Sequence, residues 1–332
     1  MDFDTDILVV GGGLIGSAMA IALSSIGFDV TVIDRQSDQL TKTHALSHAS
    51  IRMLKALGIW NYIEENAEPI LDIKVSDGRA GEGASDWFLH FDHQELEEGP
   101  MGHLIEDRHI REALKANIKK SKQIEYIYNT EVISKSVDDT GVSLNLSDGR
   151  ILRSRLLIGC DGRNSNIAKW SNISHIGWDY NQSALVCAIS HEKPHYGIAH
   201  QFFTPSGPLA ILPLPGNKSS IVWTETKDKA KDINIMRDED YLSALSPVIG
   251  NFLGPISLVG DRFSYPLGLS MAESFISSCT VLVGDSAHGI HPLAGQGLNL
   301  GLKDIAALTY FFFLTIRRPP RSTHRGTLFP YT

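Results

Sequence analysis

Three cysteines in 332 residues, Cys160, Cys187 and Cys279, are too few and too far apart for a disulfide framework or a zinc spacing. That scarcity points to a reducing compartment. No Ser, His and Asp set has a hydrolase-like arrangement, and no cysteine sits in a nucleophile's context. His288 and His291 lack the carboxylates or thiols that would complete a metal site, so they read as loop-packing or ligand-proximal residues. Neither a catalytic side chain nor a metal is expected. Acidic residues outnumber basic ones, 38 to 30, and no basic stripe offsets the formal charge of −8, which excludes a nucleic-acid partner. No signal peptide opens the chain. No apolar run is of bilayer length; the longest, Ile305 to Ile316, is short and holds two threonines. A cytoplasmic protein is the expectation. The rest is ordinary, 42% hydrophobic and 20% charged, enough for a sizeable core.

Asp6-Ile7-Leu8-Val9-Val10 is β-branched and nearly all apolar, as a buried parallel strand would be. Gly11-Gly12-Gly13-Leu14-Ile15-Gly16 follows, then a small-residue helix from Ser17 to Ile26 and a second strand, Asp29 to Ile33, closed by Asp34. In a dinucleotide fold, Gly11 serves the tight turn, Gly13 the close approach of a diphosphate, and Gly16 the helix–strand contact. Asp34 would accept from an adenosine ribose.

A second motif, Asp161-Gly162-Arg163-Asn164-Ser165, ends another strand. The third runs from Gly284-Asp285 to Gly301, after the apolar strand Thr280 to Gly284 and before a helical pattern from Leu298 to Leu308. Strand, loop and helix in that order put an acid and a helix N-terminus at a strand's carboxyl end, where open α/β sheets bind ligands.

Between these motifs the spacing predicts helices over 47–57, 60–69 and 107–119, and antiparallel strands over 71–91. A β-meander is expected over 124–158, and an antiparallel sheet with one helix near 238–247 over 184–265. The expected fold is α/β. A discontinuous dinucleotide domain with a parallel sheet (1–70, 100–180, 266–310) interleaves with a smaller antiparallel substrate domain (71–99, 181–265). Residues 311–332 form an irregular tail, either a basic extension or an artificially ended chain.

The order of the three motifs resembles the FAD-dependent aromatic-ring monooxygenases of the para-hydroxybenzoate hydroxylase fold, within them the ubiquinone-biosynthesis hydroxylases. Ala45-Leu46-Ser47, the stretch from Glu106 to Leu114 and, above all, His291 to Asp304 carry the likeness. The resemblance implies FAD as cofactor and NAD(P)H as co-substrate, with oxygen transferred through a flavin C4a-hydroperoxide to a phenol or quinone precursor, polyprenylated or not. Gly11, Gly13, Gly16 and Asp34 would hold the ADP half. Arg108 would pair with the diphosphate, and Asp161 and Gly162 would serve FAD and reduced nicotinamide. Asp285 would accept from a ribityl hydroxyl, with Pro292, Gly295, Gln296, Gly297, Leu298 and Asn299 along the isoalloxazine. A lipid-tailed substrate would bring peripheral contact with the inner membrane or a biosynthetic complex.

Two departures stand out. Lys42 occupies the place of a family arginine, and relatives extend by a further helical segment. Two alternatives stay open: a flavin-dependent reductase on the same fold, and a FAD-binding truncated protein without activity. A halogenase is disfavoured, because no Trp-x-Trp-x-Ile motif lies between the first two motifs.

Overall fold

The computed structural model describes residues 3–35, 42–79, 83–95, 97 and 99–317. Its helices are α1 (Leu14–Ser25), α2 (His48–Ala56), α3 (Trp60–Ile63), α4 (Asp107–Ile118), α5 (Asn166–Trp170), α6 (Lys227–Asn234), α7 (Asp238–Ile249) and α8 (Gln296–Arg317).

A six-stranded sheet runs in the order Ile276–Ser277, Thr280–Leu282, Leu156–Gly159, Ile7–Val10, Val30–Ile33, Ile124–Ile127. All neighbours are parallel except the first pair. The strand Ile7–Val10 is central and wholly buried, which is why its sequence does not alternate. Parallel pairing brings the carboxyl ends of the strands ending at Val10, Ile33, Gly159 and Leu282 to one edge. All three motifs start there.

The meander expected over 124–158 is smaller than its sequence suggested. Ile124–Ile127 joins the parallel sheet beside Val30–Ile33, because Ile127 is buried and Ile124 and Tyr126 pack against the core under α1. The run 151–158 is two strands rather than one. Ile151–Ser154 completes a three-stranded meander, and Leu156–Gly159 enters the parallel sheet.

The second large sheet has eight strands in the order His288–Gly289, Ile256–Ala272, His175–His191, Lys218–Thr226, Gly207–Leu214, Ile198–Thr204, Asp72–Arg79, Gly83–Asp92. One face buries Leu185, Phe202, Leu209, Ile211, Ile221 and Trp223 against α6 and α7, through Ala230, Ile233, Tyr241 and Leu245. The 17-residue strands His175–His191 and Ile256–Ala272 run straight through the boundaries expected at 180 and 265. No linker separates the two units there. Helix α6 and the strand Ile256–Ala272 were not anticipated: one is short and lysine-rich, the other is interrupted by Gly260 and Gly268.

Helix α8 continues to Arg317, so the irregular tail does not begin at 311. Phe312 is buried and meets the Phe28 ring edge-on at 5.6 Å, which holds the last turns against the loop after α1. Residues 318–332 lie outside the described residues. By length and composition alone Gln296–Thr315 is long and apolar enough to cross a membrane, contrary to the expectation that no run is. Its Leu302, Ile305 and Phe312 nevertheless belong to the core of the nucleotide fold.

Candidate active site

Two cavities open along the carboxyl edge of the parallel sheet, of about 600 and about 490 Å³, and both are lined by Gly13 and Cys160. They therefore meet at the start of α1. Together they make one elongated site whose waist is the glycine-rich turn.

The smaller cavity is bounded by the first motif, by Asp34 and Arg35, and by Asp161, Gly162 and Asn164. Each glycine of the turn has a distinct steric reason. Gly11 is left-handed (φ 99°), and a Cβ there would lie 2.3 Å from the Cys160 carbonyl. At Gly16 a Cβ would lie 1.8 Å from the Gly11 carbonyl, so helix and strand could not close. At Gly13 it would meet nothing within 4 Å, because it would point into the cavity.

Gly12 was given no role by the sequence. A Cβ there would fall 1.7 Å from the Tyr126 hydroxyl. That hydroxyl donates within reach of the Gly12 carbonyl (3.0 Å) and Asp34 Oδ2 (3.1 Å). Burial, reinforced by Asp34, pushes the Tyr126 phenol far above its usual range, so it stays a donor. Nothing in the sequence pairs positions 12 and 126; only the placement of Ile124–Ile127 in the parallel sheet does. Tyr126→Phe is expected to weaken binding of an adenine dinucleotide by about threefold to tenfold, the worth of one hydrogen bond of about 0.5–1.5 kcal/mol. A fluorescence titration with unchanged affinity would remove Tyr126 from the site.

Asp161 is more constrained than its motif implied. Its carboxylate accepts from Ser165 Oγ (2.6 Å) and from the backbone N–H groups of Asn166 (2.8 Å) and Ile167 (3.1 Å). It thereby caps α5. It shapes the cavity wall chiefly as the turn's anchor.

Arg108 lines neither cavity. It lies on the outer face of α4 and pairs with Glu106 at 2.6 Å, its side chain 64% exposed. The phase of α4 explains this: Asp107, Ile110, Ala113 and Leu114 face inward and turn Arg108 to solvent. The inward pair is Asp107 with Arg111, and Asp107 also holds His44 Nε2 at 3.0 Å. Burial opposes ionisation of Asp107, but hydrogen bonds from His44 and Arg111 prevail and hold the carboxyl below its ordinary range. Lys42, Thr43, His44 and Ala45 line the larger cavity, so the positive charge on this side comes from Lys42, at the approach to the strand Thr43–Leu46, rather than from α4.

The third motif forms the opposite wall. Asp285 is half-exposed and lies 3.6 Å from Arg163 Nε. Pro292, Gly295, Gly297 and Leu298 line the cavity at the start of α8. Gln296 opens that helix, whose first N–H groups have no intrahelical acceptor.

The Asn299 side chain is fully engaged inside the protein. Its Oδ1 accepts from Ser47 N (3.0 Å) and Ser50 Oγ (2.5 Å), and its Nδ2 donates to Ala45 O (2.7 Å) and Gly295 O (2.8 Å). Only its backbone remains for a ligand. His291 lines the cavity beside the Tyr180 ring, and burial, aided by Arg163, lowers its basicity.

The eight-stranded sheet covers the larger cavity with the face opposite its core. Phe202, Leu209, Ile211 and Leu214 are core residues, while Gln201, Pro208, Ala210 and Leu212 face the cavity with Thr224 and Tyr265. Of the larger apolar side chains in the strands Ile198–Thr204 and Gly207–Leu214, Phe202, Phe203, Leu209, Ile211, Leu212 and Leu214, Leu212 lines the cavity. Strand alternation separates Leu209 and Ile211 from Pro208, Ala210 and Leu212, while Leu214, at the strand's end, is buried despite sharing the latter's parity. A separate cluster, Asp72, Asp92 and His93, is gathered by cross-strand pairing and lines neither cavity.

An elongated site with a glycine waist, a side chain's width left open at Gly13, and two helix N-termini aimed into it fits a flavin dinucleotide. The FAD binding domain family matches residues 4–319. The chain belongs to that family. An ubiquinone hydroxylase of Rhodospirillum rubrum, UbiL, is 39% identical over 310 residues, covering 91% of this chain and 71% of its own. The 3-demethoxyubiquinol 3-hydroxylase of Escherichia coli is 30% identical over 313 residues, covering 92% and 78%. The solved p-nitrophenol 4-monooxygenase PnpA of Pseudomonas putida shares the fold, with a TM-score of 0.79 at 19% identity over 96% of this chain and 81% of its own.

Within this FAD-binding chain, His288 Nε2 lies 2.7 Å from Asp304 Oδ2. That bond raises the imidazole's pKa, against burial, with Asp285 adding to the rise. The other groups around it are the Phe275 ring and, on the Ser286 carbonyl, His175. Because the folded value is raised, the pair's stabilisation is fully present below the unfolded value of about 6.5 and fades as pH rises through the folded one. Thermal midpoints of wild type and His288→Leu should therefore converge as pH rises. A gap independent of pH would show that the pair does not titrate.

Proposed function

We propose that the chain is an FAD-dependent NAD(P)H:oxygen oxidoreductase that hydroxylates the aromatic ring of a polyprenylated phenol or quinone precursor in ubiquinone biosynthesis. The carrying observation is the joined pair of cavities. One fits the ADP half of FAD, and the other has room for a flavin ring with an aromatic ring beside it. The two relatives named above, both hydroxylases of ubiquinone or its precursor by name, support the substrate class.

FAD, when bound, would take two electrons from NAD(P)H and use them to activate dioxygen, one atom of which goes to the ring and the other to water. The chain's own residues do the rest. The first turn of α8 favours negative charge at the flavin ring. Lys42 and Arg163 bring positive charge to the cavity, suited to an anionic phenolate or diphosphate. The apolar wall of Val186, Pro208, Ala210, Leu212 and Val222 excludes water from the reacting ring. A cavity of about 600 Å³ holds a ring system but not a long prenyl chain as well. The tail would extend outside, which supports peripheral contact of a cytoplasmic protein with the inner membrane.

The test is reconstitution with FAD, followed by NAD(P)H consumption and heavy-isotope oxygen incorporation with prenylated phenols. Labelled product supports the reading. NAD(P)H consumption without incorporation indicates a reductase, and FAD binding without turnover of any kind an inactive protein.

A further inference from the structure

Asp285 faces the cavity, yet its neighbours in the turn are all held from behind. Ser286 is fully buried, with its hydroxyl 2.5 Å from the Gly159 carbonyl, and His175 Nε2 sits 2.9 Å from the Ser286 carbonyl. Gly284 is left-handed (φ 70°), which turns the chain after it out of the strand, and its N–H faces α8. There Asp304 Oδ2 accepts it at 2.9 Å, and the same oxygen lies 2.7 Å from His288 Nε2. One carboxylate oxygen thus binds the residue before Asp285 and the residue closing the loop after it.

Gly301 brings α8 close against Ile15 of α1, beside the turn. A Cβ there would lie 2.5 Å from Ile15 Cδ1 and 3.5 Å from Gly284 Cα. Asp304 itself lines neither cavity, so it acts through the turn.

We propose that Asp304 is a positioning residue that locks the Gly284–Ser286 turn to α8, so that Asp285 and the N-terminus of α8 meet the flavin as one rigid edge. The inference rests on the reading of the larger cavity as the flavin-ring site. Asp285 and the helix N-terminus are the two features that would touch opposite parts of that cofactor, the ribityl chain and the electron-accepting ring. Without the lock each could shift independently, and the protein would lose control of affinity and of redox potential together. An acid that served only the helix surface would alter neither.

The experiment titrates FAD into apoprotein and measures the bound flavin's midpoint potential for wild type, Asp304→Leu, His288→Gln and His288→Leu. Asp304→Leu, which can accept from neither donor, is expected to bind FAD about tenfold or more weakly, with a shifted potential. His288→Gln, whose amide still donates to Asp304, should stay within about threefold of wild type, while His288→Leu should follow Asp304→Leu. Wild-type affinity and potential in Asp304→Leu would overturn the proposal, even if that variant were less stable. Should Asp304→Leu fail to fold, the histidine pair decides: indistinguishable Gln and Leu variants also overturn it. A wild-type chain that binds no FAD would instead defeat the reading of the cavity itself.

Discussion

Gly13→Ala and Gly16→Ala, three positions apart in one motif, are expected to fail in opposite ways. A methyl at Gly16 would sit 1.8 Å from the Gly11 carbonyl and 3.3 Å from the Cys160 side chain. Neither backbone can yield without parting α1 from the central strand. The cost is that of overpacking a core, about 1–3 kcal/mol and more where backbone must move. Gly16→Ala should therefore show a depressed thermal midpoint before any cofactor is added. A methyl at Gly13 meets no protein atom within 4 Å, so the apoprotein should melt as wild type does. It would stand in the waist between the two cavities and should lower FAD affinity about a hundredfold or abolish it. Calorimetry of the two apoproteins, with FAD titrations, separates the outcomes. A Gly13→Ala protein that binds FAD normally would mean that the dinucleotide does not cross this turn.

Asn299→Leu carries the second large effect. Leucine approximates the size of asparagine but leaves the Ala45 and Gly295 carbonyls, the Ser47 N–H and the Ser50 hydroxyl without the partner they have now. At about 1–3 kcal/mol for each buried group left unsatisfied, and allowing for partial hydration, a loss of about 3–5 kcal/mol is expected. The effect should reach both walls of the flavin cavity, because this side chain ties the start of α8 to the strand and helix on either side of Ser47. Chemical denaturation should show the lower midpoint. FAD should slow the unfolding of wild type more than that of the variant. A destabilisation below about 1 kcal/mol would show that water replaces the asparagine without loss.

These two predictions mark what was readable in advance. The parallel sheet, the three motifs and their convergence followed from apolar runs that stop at Gly or Asp, a local signal. The roles of Gly12 and Tyr126, the Asp107–His44 pair and the Asp304 lock did not, because each joins residues far apart in sequence through sheet order or helix phase. Arg108 shows the limit most clearly. Its motif sits at the right place in the chain, but a rotation of one residue around α4 decides whether a side chain meets a ligand or water. The split of 151–158 between two sheets and the extension of α8 to Arg317 are failures of the same kind, since local pattern does not say which neighbour a segment will find.

The strand order of the parallel sheet also governs how the protein comes into being. Ile7–Val10 leaves the ribosome long before its partner on one side, Leu156–Gly159, and Thr280–Leu282 beyond that. The α8 segment that closes the flavin edge follows later still. The cofactor cannot stabilise a nascent chain until α8 has been synthesised. Until Leu156–Gly159 emerges, the central strand has one neighbour and an open edge, exposed to mispairing. Contacts of such long range make folding slow. FAD supply during expression should therefore raise the yield of soluble protein chiefly by capturing chains that already carry α8.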